Sequence, residues 1–210
     1  MEDKILQMDI IHLQSIDSTQ SFAKKNAHTF SPTAITCIVA DRQTAGKGKF
    51  QRPWHSPPDV NLYATFYFRL DTNAAHLTSL SNLLSVSLAK VLIQEGFIPQ
   101  IKWPNDIQLS GKKVAGILCE TIFQPQEIEI FLGIGINVNM EKEEFFHIDQ
   151  PATSLKIELG YTYKKEVLLE KLYVQFSQDL AIFKIEGFSP FFAFYNEHLA
   201  NKGKIDLFRN

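Results

Sequence analysis

Apolar residues along this chain fall into two periodicities that separate strands from helices. Short β-branched and aromatic runs read as strands at residues 8–16, Ala34–Ala40 (AITCIVA), Asn61–Leu70 (NLYATFYFRL) and Phe97–Trp103, where Pro104 stops the run. Lys113–Phe123 and Ile128–Val138 read as an antiparallel pair, preceded by a hairpin-type turn at Ser110-Gly111-Lys112-Lys113. Ser18 offers an N-cap to a short helix over 19–28. Spacing near 3.6 predicts a long helix over Leu77–Glu95, closed by Gly96. Beyond Pro151 the pattern is helical at 152–159, 164–185 and 189–200, and 204–208 reads as a last strand. Strands first, helices later and a local hairpin predict an α+β fold: a mixed, largely antiparallel sheet packed by helices, not an alternating βαβ array.

With 210 residues the chain is long enough for one domain that buries about 70% of its unfolded surface. Its 45% hydrophobic and 21% charged content is ordinary for a globular protein, although 17 phenylalanines predict an aromatic core. The net charge of −2 gives no overall pull toward nucleic acid or an anionic membrane. Charge is local instead. From Arg42 to Pro57 there are four cations and no acid, whereas Glu127 to Asp149 holds six acids and one lysine. A basic site on a near-neutral body predicts a small anionic ligand. Cys37 and Cys119 lie in apolar runs and read as buried thiols of a reducing compartment. No basic leader and no apolar stretch of about 20 residues stand out, so the expectation is cytoplasmic, with no membrane partner.

The chemistry concentrates in Ala45-Gly46-Lys47-Gly48-Lys49-Phe50-Gln51-Arg52-Pro53-Trp54. Glycines let backbone approach a ligand, cations meet an anion, and an aromatic can lie on a flat ring. The spacing excludes a phosphate-binding loop of the Gly-x-x-x-x-Gly-Lys-Ser/Thr type and the Gly-x-Gly-x-x-Gly dinucleotide fingerprint. A nucleotide with another mode of capture remains. Polar residues also punctuate other predicted strands and ends: Ser18-Thr19-Gln20, Gln43, Lys102-Trp103-Pro104-Asn105-Asp106, Lys113-Val114-Ala115-Gly116-Ile117-Leu118, and Gly133-Ile134-Gly135-Ile136-Asn137.

Taken in order, these blocks resemble the catalytic domain of the biotin–protein ligases over about residues 10–205. The family's glycine-arginine loop is matched at Gly46 through Trp54. Its Lys-Trp-Pro-Asn-Asp block is matched unchanged at 102–106, its Lys-x-Ala-Gly-Ile-Leu block at 113–118, and its Gly-x-Gly-x-Asn block at 133–137. Its Asp-Ser-Thr-Asn element stands here as Asp17-Ser18-Thr19-Gln20. The resemblance implies a fold like the class II aminoacyl-tRNA synthetases and a two-step reaction. Biotin and ATP give biotinyl-5′-AMP and pyrophosphate. A lysine of a biotin carboxyl carrier domain of acetyl-CoA carboxylase then displaces AMP.

On this resemblance, Lys113 lies between the biotin carboxylate and the α-phosphate, where a lysine quenches the repulsion of two anions; the other reading is a solvated turn lysine, which suits Lys112. Lys49 and Arg52 look like a phosphate clamp. Trp54 matches a tryptophan over the adenine, unless it is a core residue at the base of the loop. Asn137 resembles the reader of the adenine edge, and Asn105 a builder of that pocket. Ser18, Thr19 and Gln43 match polar contacts to biotin's ureido ring, with Gln20 beside them, and Ser18 also suits a helix cap. Gly46 and Gly116 let backbone approach the ligand, and Lys47 would contribute its main-chain N–H. Asp106 would orient and deprotonate the acceptor lysine, assist Mg²⁺, or cap a strand. Trp103 reads as core, and no His/Cys cluster has metal-ligand spacing.

The chain departs from the family pattern at Lys47 and Lys49, where arginine is typical, and at Gln51, where a third glycine is typical. Lysine lacks the bidentate fork of arginine, so a looser grip on the intermediate is expected. The sequence opens close to the first predicted strand, so no DNA-binding domain is expected. Residues 1–202 read as the catalytic domain and 203–210 as the opening strand of a C-terminal SH3-like domain. A homodimer through a sheet edge is the association implied. The competing expectations are a lipoate–protein ligase and a biotin-binding module without catalysis.

Overall fold

The computed structural model describes residues 9–200 except 73, 75 and 76. The strand expected at 204–208 and the division at 203 lie outside the described residues.

The aromatic run after Asn61 forms β3 (Leu62–Asp71), which is buried on both faces for most of its length. Such a strand needs cover on each side, and it stands inside a seven-stranded sheet. Its neighbours are β2 (Thr36–Gln43) and β7 (Glu127–Ile136), both antiparallel to it. Beyond β2 lies β1 (Asp9–Ile16). Beyond β7 come β6 (Lys112–Phe123), β5 (Asp106–Leu109) and β4 (Pro99–Lys102), giving the order β1-β2-β3-β7-β6-β5-β4. The sheet is antiparallel except that β1 pairs with β2 in parallel, across helix α1 (Thr19–Asn26). One βαβ unit thus sits at the edge of an α+β sheet that is otherwise antiparallel, as the expected fold class requires. β5 is a second addition: its four residues are too short to register as a run between Pro104 and the Ser110-Gly111 turn. Ser110 and Gly111 both adopt positive φ, 50° and 73°, as the tight β5–β6 turn demands.

Helices α2 (Leu80–Gln94) and α4 (Lys165–Glu186) cover one face. Leu80, Leu83, Leu84, Leu88 and Leu92 of α2 are fully buried, each contributing roughly 2 kcal/mol. By length and composition Leu77–Gln94 is apolar enough to cross a membrane, but here it is the core helix of the fold. Gly96, at φ 85°, ends it: its N–H donates to Ile93 O and that of Phe97 to Leu92 O. The helices are pinned by Asp179 of α4, which accepts from Ser87 Oγ and pairs with Lys90 Nζ at 2.7 Å. Helix α5 (Phe192–Glu197) is shorter than expected. Its chain then turns, and residues 198–200 bond to Ile101 along the free edge of β4. Helix α3 (Leu155–Leu159) is capped by Ser154 and closed by Gly160 in the left-handed conformation.

The opposite face is only partly covered. Helix α1 packs Ala23 there, with Ala27 and Phe30 just beyond its end, over Ile38, Tyr67 and Phe131. Farther along β3, β7 and β6 no helix among the described residues lies over that face, and a cavity opens.

Candidate active site

The cavity is a consequence of missing side chains in register. Cross-strand partners share a sheet face, and two adjacent rows here are rich in glycine. One row runs Thr65, Gly133, Leu118; the next runs Tyr63, Gly135, Gly116, Asp106. The result is a hollow of about 820 Å³, in the range of pockets that hold cofactor-sized molecules. Two walls close around it: the N-terminus of α1 with the loop after β2, and the segment 147–152 that follows β7.

The loop after β2 is a small hairpin. Trp54 N–H donates to Gly46 O and Gly48 N–H to Arg52 O, while Lys47 bridges to Pro53. At its tip Phe50 and Gln51 both have φ 58°, the geometry a glycine accepts readily. The hairpin brings Lys47, Lys49, Arg52 and Trp54 to the cavity. Gly46 does not line it, unlike the expectation. A Cβ there would stand 2.7 Å from Ser56 Oγ and 2.8 Å from Gln43 Nε2, so this glycine makes room for Gln43.

Lys113 is placed by an irregularity in the sheet. Ile107 pairs with Ala115 but Gln108 pairs with Lys113, so Val114 is the extra residue of a bulge. Bulges re-aim side chains. The Lys113 backbone turns to the 151–153 segment instead, donating to Pro151 O and accepting from Thr153 N–H at 2.9 Å each. Its ammonium lies 2.8 Å from Asp106 Oδ1 and 5.1 Å from the centre of the Trp54 ring. Both members of the ion pair are largely buried, at 15% side-chain exposure. Lys112, one residue earlier, is exposed, as its turn position predicts.

Glycines 133 and 135 do not simply await a ligand. A Cβ at Gly135 would stand 2.4 Å from Trp54 Cε2, and one at Gly133 would stand 2.5 Å from Gln20 Oε1. Trp54 therefore lies flat on the Gly116–Gly135 pair, with its Nε1 buried and unpartnered. Gln20 reaches across the sheet to donate to Phe131 O at 2.8 Å.

An uncharged polar cluster lies beside this ionic one. Gln43 Oε1 accepts from Thr19 N–H at 2.9 Å and contacts Thr19 Oγ1 at 3.2 Å, and Gln43 Nε2 donates to Ser56 Oγ. Ser18 caps α1 by accepting the Ser21 N–H, so its own hydroxyl hydrogen is free to give. Thr65, fully buried in β3, touches both Thr19 Oγ1 and Gln20 Oε1. Asn105 and Asn137 each donate Nδ2 to a backbone carbonyl, of Ile117 and Thr153, so each can offer a ligand its Oδ1 as an acceptor.

Every expected site residue except Gly46 thus lines one cavity. Trp103 also lines it, and at 53% exposure it is no core residue: β4 ends at Lys102 and the indole projects from the following turn. Sequence reasoning missed Thr65, His55 and the wall at 147–152, together with Ser56, which holds Gln43 from behind. For Thr65 a signal existed, a hydroxyl amid the aromatics of LYATFYF. Cys119 is half-buried rather than buried. Burial, chiefly, with Glu120 nearby, pushes its thiol up to about 12. Among the described residues no group of three or more His, Cys, Asp or Glu could hold a metal ion.

A family model for the biotin/lipoate A/B protein ligases matches residues 12–137, more than half of the chain. The chain belongs to the biotin/lipoate A/B protein ligase family. Among relatives in that family, the bifunctional ligase/repressor BirA of Bacillus spizizenii is 30% identical over 193 residues, covering 90% of this chain and 59% of its own length. BirA of Escherichia coli K12 is 32% identical over 200 residues, covering 94% and 59%. The chain therefore spans somewhat over half the length of these relatives. A solved structure of the biotin protein ligase from Aquifex aeolicus, in complex with biotin and ATP, is similar with a TM-score of 0.77 and 30% identity, over 91% of this chain and 78% of that one.

Proposed function

We propose that the protein activates biotin with ATP to biotinyl-5′-AMP and transfers the biotinyl group to a lysine of a biotin carboxyl carrier domain. The observation that carries this reading is the meeting, in one cavity, of Lys49, Arg52 and Lys113 with the polar cluster of Ser18, Thr19 and Gln43. A cationic group suits two anions that must react, and an uncharged cluster with one free hydroxyl hydrogen suits a cyclic urea. The names of the ligase relatives, and the Aquifex structure with biotin and ATP, support the same substrates.

In the first step the biotin carboxylate oxygen attacks the α-phosphorus, and pyrophosphate leaves with its electron pair. Lys113 neutralises the approaching anions, with Lys49 and Arg52 on the phosphates. Trp54 and the Oδ1 acceptors of Asn105 and Asn137 suit adenine, whose exocyclic amine is a donor. In the second step the acceptor amine attacks the acyl carbon and AMP departs; Asp106 accepts the ammonium proton. Mg²⁺ would arrive on the triphosphate and neutralise its charge. Asp106 and Asp149 at the cavity fit an ion held by phosphates and one or two carboxylates. The chemistry is proposed to take place in the cytoplasm.

Mass spectrometry of a carrier domain after incubation with this protein, biotin and MgATP tests the reading. A single biotinyl addition at one lysine is expected. No addition, or addition from lipoate in place of biotin, overturns it. The lysine at 49 adds a corollary: Lys49→Arg lowers the labelling of bystander proteins by escaped biotinyl-AMP, and equal labelling by both proteins rejects the looser grip.

A further inference from the structure

We infer that Glu158, outside the cavity, is a positioning residue for Lys113: its carboxylate joins the strap that holds the Lys113 main chain to the turn that leads into β6. The inference rests on the biotin reading and deepens it by naming what fixes the lysine that adenylation requires.

The bulge at Val114 interrupts the β5–β6 register beside Lys113. The Lys113 main chain bonds instead to the strap, with Pro151 O and Thr153 N–H each at 2.9 Å. The lysine is therefore only as well placed as the strap. Thr153, at the inner end of the strap, is 1% exposed, and its hydroxyl donates to Glu158 Oε1 at 2.7 Å. The second carboxylate oxygen, Oε2, accepts from Ser110 Oγ at 2.9 Å. Ser110 opens the β5–β6 turn at φ 50°, just before Lys113 in the chain. One carboxylate thus grips the strap and the turn together. A carboxylate only accepts, so each hydroxyl gives it its single hydrogen, and such charge-assisted bonds are roughly twice as strong as neutral ones.

Glu158 stands on an anchored base. At the start of α3, Ser154 donates to Met140 O at 2.7 Å and accepts the Ile157 N–H, while the N–H groups of Leu155 and Lys156 donate to Asn137 O and Val138 O. None of Glu158, Thr153 and Ser110 lines the cavity, so their influence on a ligand passes through other residues. Two routes leave Thr153. Its N–H goes to Lys113 O, and its own carbonyl accepts from Asn137 Nδ2 at 3.1 Å. The routes differ in kinetics. A displaced Lys113 slows the reaction of bound substrates, whereas a turned Asn137 weakens nucleotide binding. The Lys113 route is the one inferred, because the strap flanks that residue on both its N–H and its carbonyl.

The test is biotin-dependent pyrophosphate exchange by the full chain, with kcat and KM for ATP measured well below the melting temperature of each variant. Glu158→Ala lowers kcat at least about 10-fold, within the roughly 100-fold that a 1 Å misplacement costs, and leaves KM for ATP within about 2-fold of wild type. Glu158→Gln keeps an oxygen for Thr153 and offers an N–H to the Ser110 oxygen, so it restores kcat to within about 3-fold of wild type. Adding Glu158→Ala to Lys113→Ala lowers the residual exchange no further, because the group being positioned is gone. A purely structural role would lower the melting temperature and leave kcat of the folded protein unchanged. Wild-type kcat in Glu158→Ala overturns the inference. So does a rise in KM for ATP at unchanged kcat, a loss that glutamine does not repair, or a further 10-fold loss in the Lys113→Ala background. Should Glu158→Ala not fold, Ser110→Ala decides, since it removes only the hydroxyl of an exposed turn: a kcat lower by about 3-fold or more supports the inference, and wild-type kcat overturns it. Absence of biotin-dependent exchange by wild type overturns the proposed function itself.

Discussion

Replacing Gly135 by alanine tests whether Trp54 is part of the built site or a passing occupant of it. The new Cβ would stand 2.4 Å from Trp54 Cε2, 2.5 Å from Nε1 and 2.7 Å from Cζ2. A rigid indole cannot yield by a torsion at its tip, and Gly135 is fixed between Tyr63 and Gly116 in the sheet. The ring must lift, carrying the base of the hairpin and loosening the Lys113 contact above it. Overpacking of this kind costs about 1–3 kcal/mol. For a chain of this size that lowers the melting temperature by about 2–12 °C. Gly48→Ala is the control for stability, since the nearest atom to its Cβ would be Arg52 O at 3.6 Å. The assays are thermal unfolding and Trp54 emission in a Trp103→Phe background. The expected result is a lower melting temperature and a red-shifted emission for Gly135→Ala, with Gly48→Ala unfolding like wild type. Wild-type melting and an unchanged spectrum in Gly135→Ala would refute the packing.

Other substitutions probe separate parts. Asp179→Ala strands Lys90 and Ser87 between α2 and α4, and costs about 3 kcal/mol in chemical denaturation. Gln51→Gly replaces a residue held at φ 58°, so it is neutral or stabilising by up to about 1 kcal/mol, against the usual glycine penalty. Burial pushes the Cys37 thiol up to about 12 from 9.0. Its folded form holds the proton while the unfolded chain loses it, so stability is flat below pH 9 and falls above it by about 1.4 kcal/mol per pH unit. Cys37→Ala should reduce that slope between pH 9 and 11 by this amount, and an unchanged slope rejects the thiol as its source.

The parts of the fold that sequence made legible are those where a local pattern is long. The α2 spacing and Gly96, and the paired runs of β6 and β7, needed no tertiary information. β5 escaped because four residues make no pattern, and its pairing depends on the bulge at Val114. The parallel β1–β2 pair escaped because a crossover of eight helical residues looks no different from a helix before an antiparallel strand. In the site, side-chain types were readable and their assembly was not. Gly133 and Gly135 were legible only as a motif; that Gln20 and Trp54, far away in sequence, fill the space over them depends on the folded sheet. Trp103 read as core, but the strand ends one residue too early to bury it.

Lys113, held by Asp106 and the strap at 151–153, is proposed to neutralise two anions as they react. Biotin-dependent exchange of labelled pyrophosphate into ATP measures that step without any acceptor protein. Wild type should exchange robustly, and Lys113→Ala should lose at least about 100-fold at an unchanged melting temperature. Exchange by Lys113→Ala at the wild-type rate would contradict it.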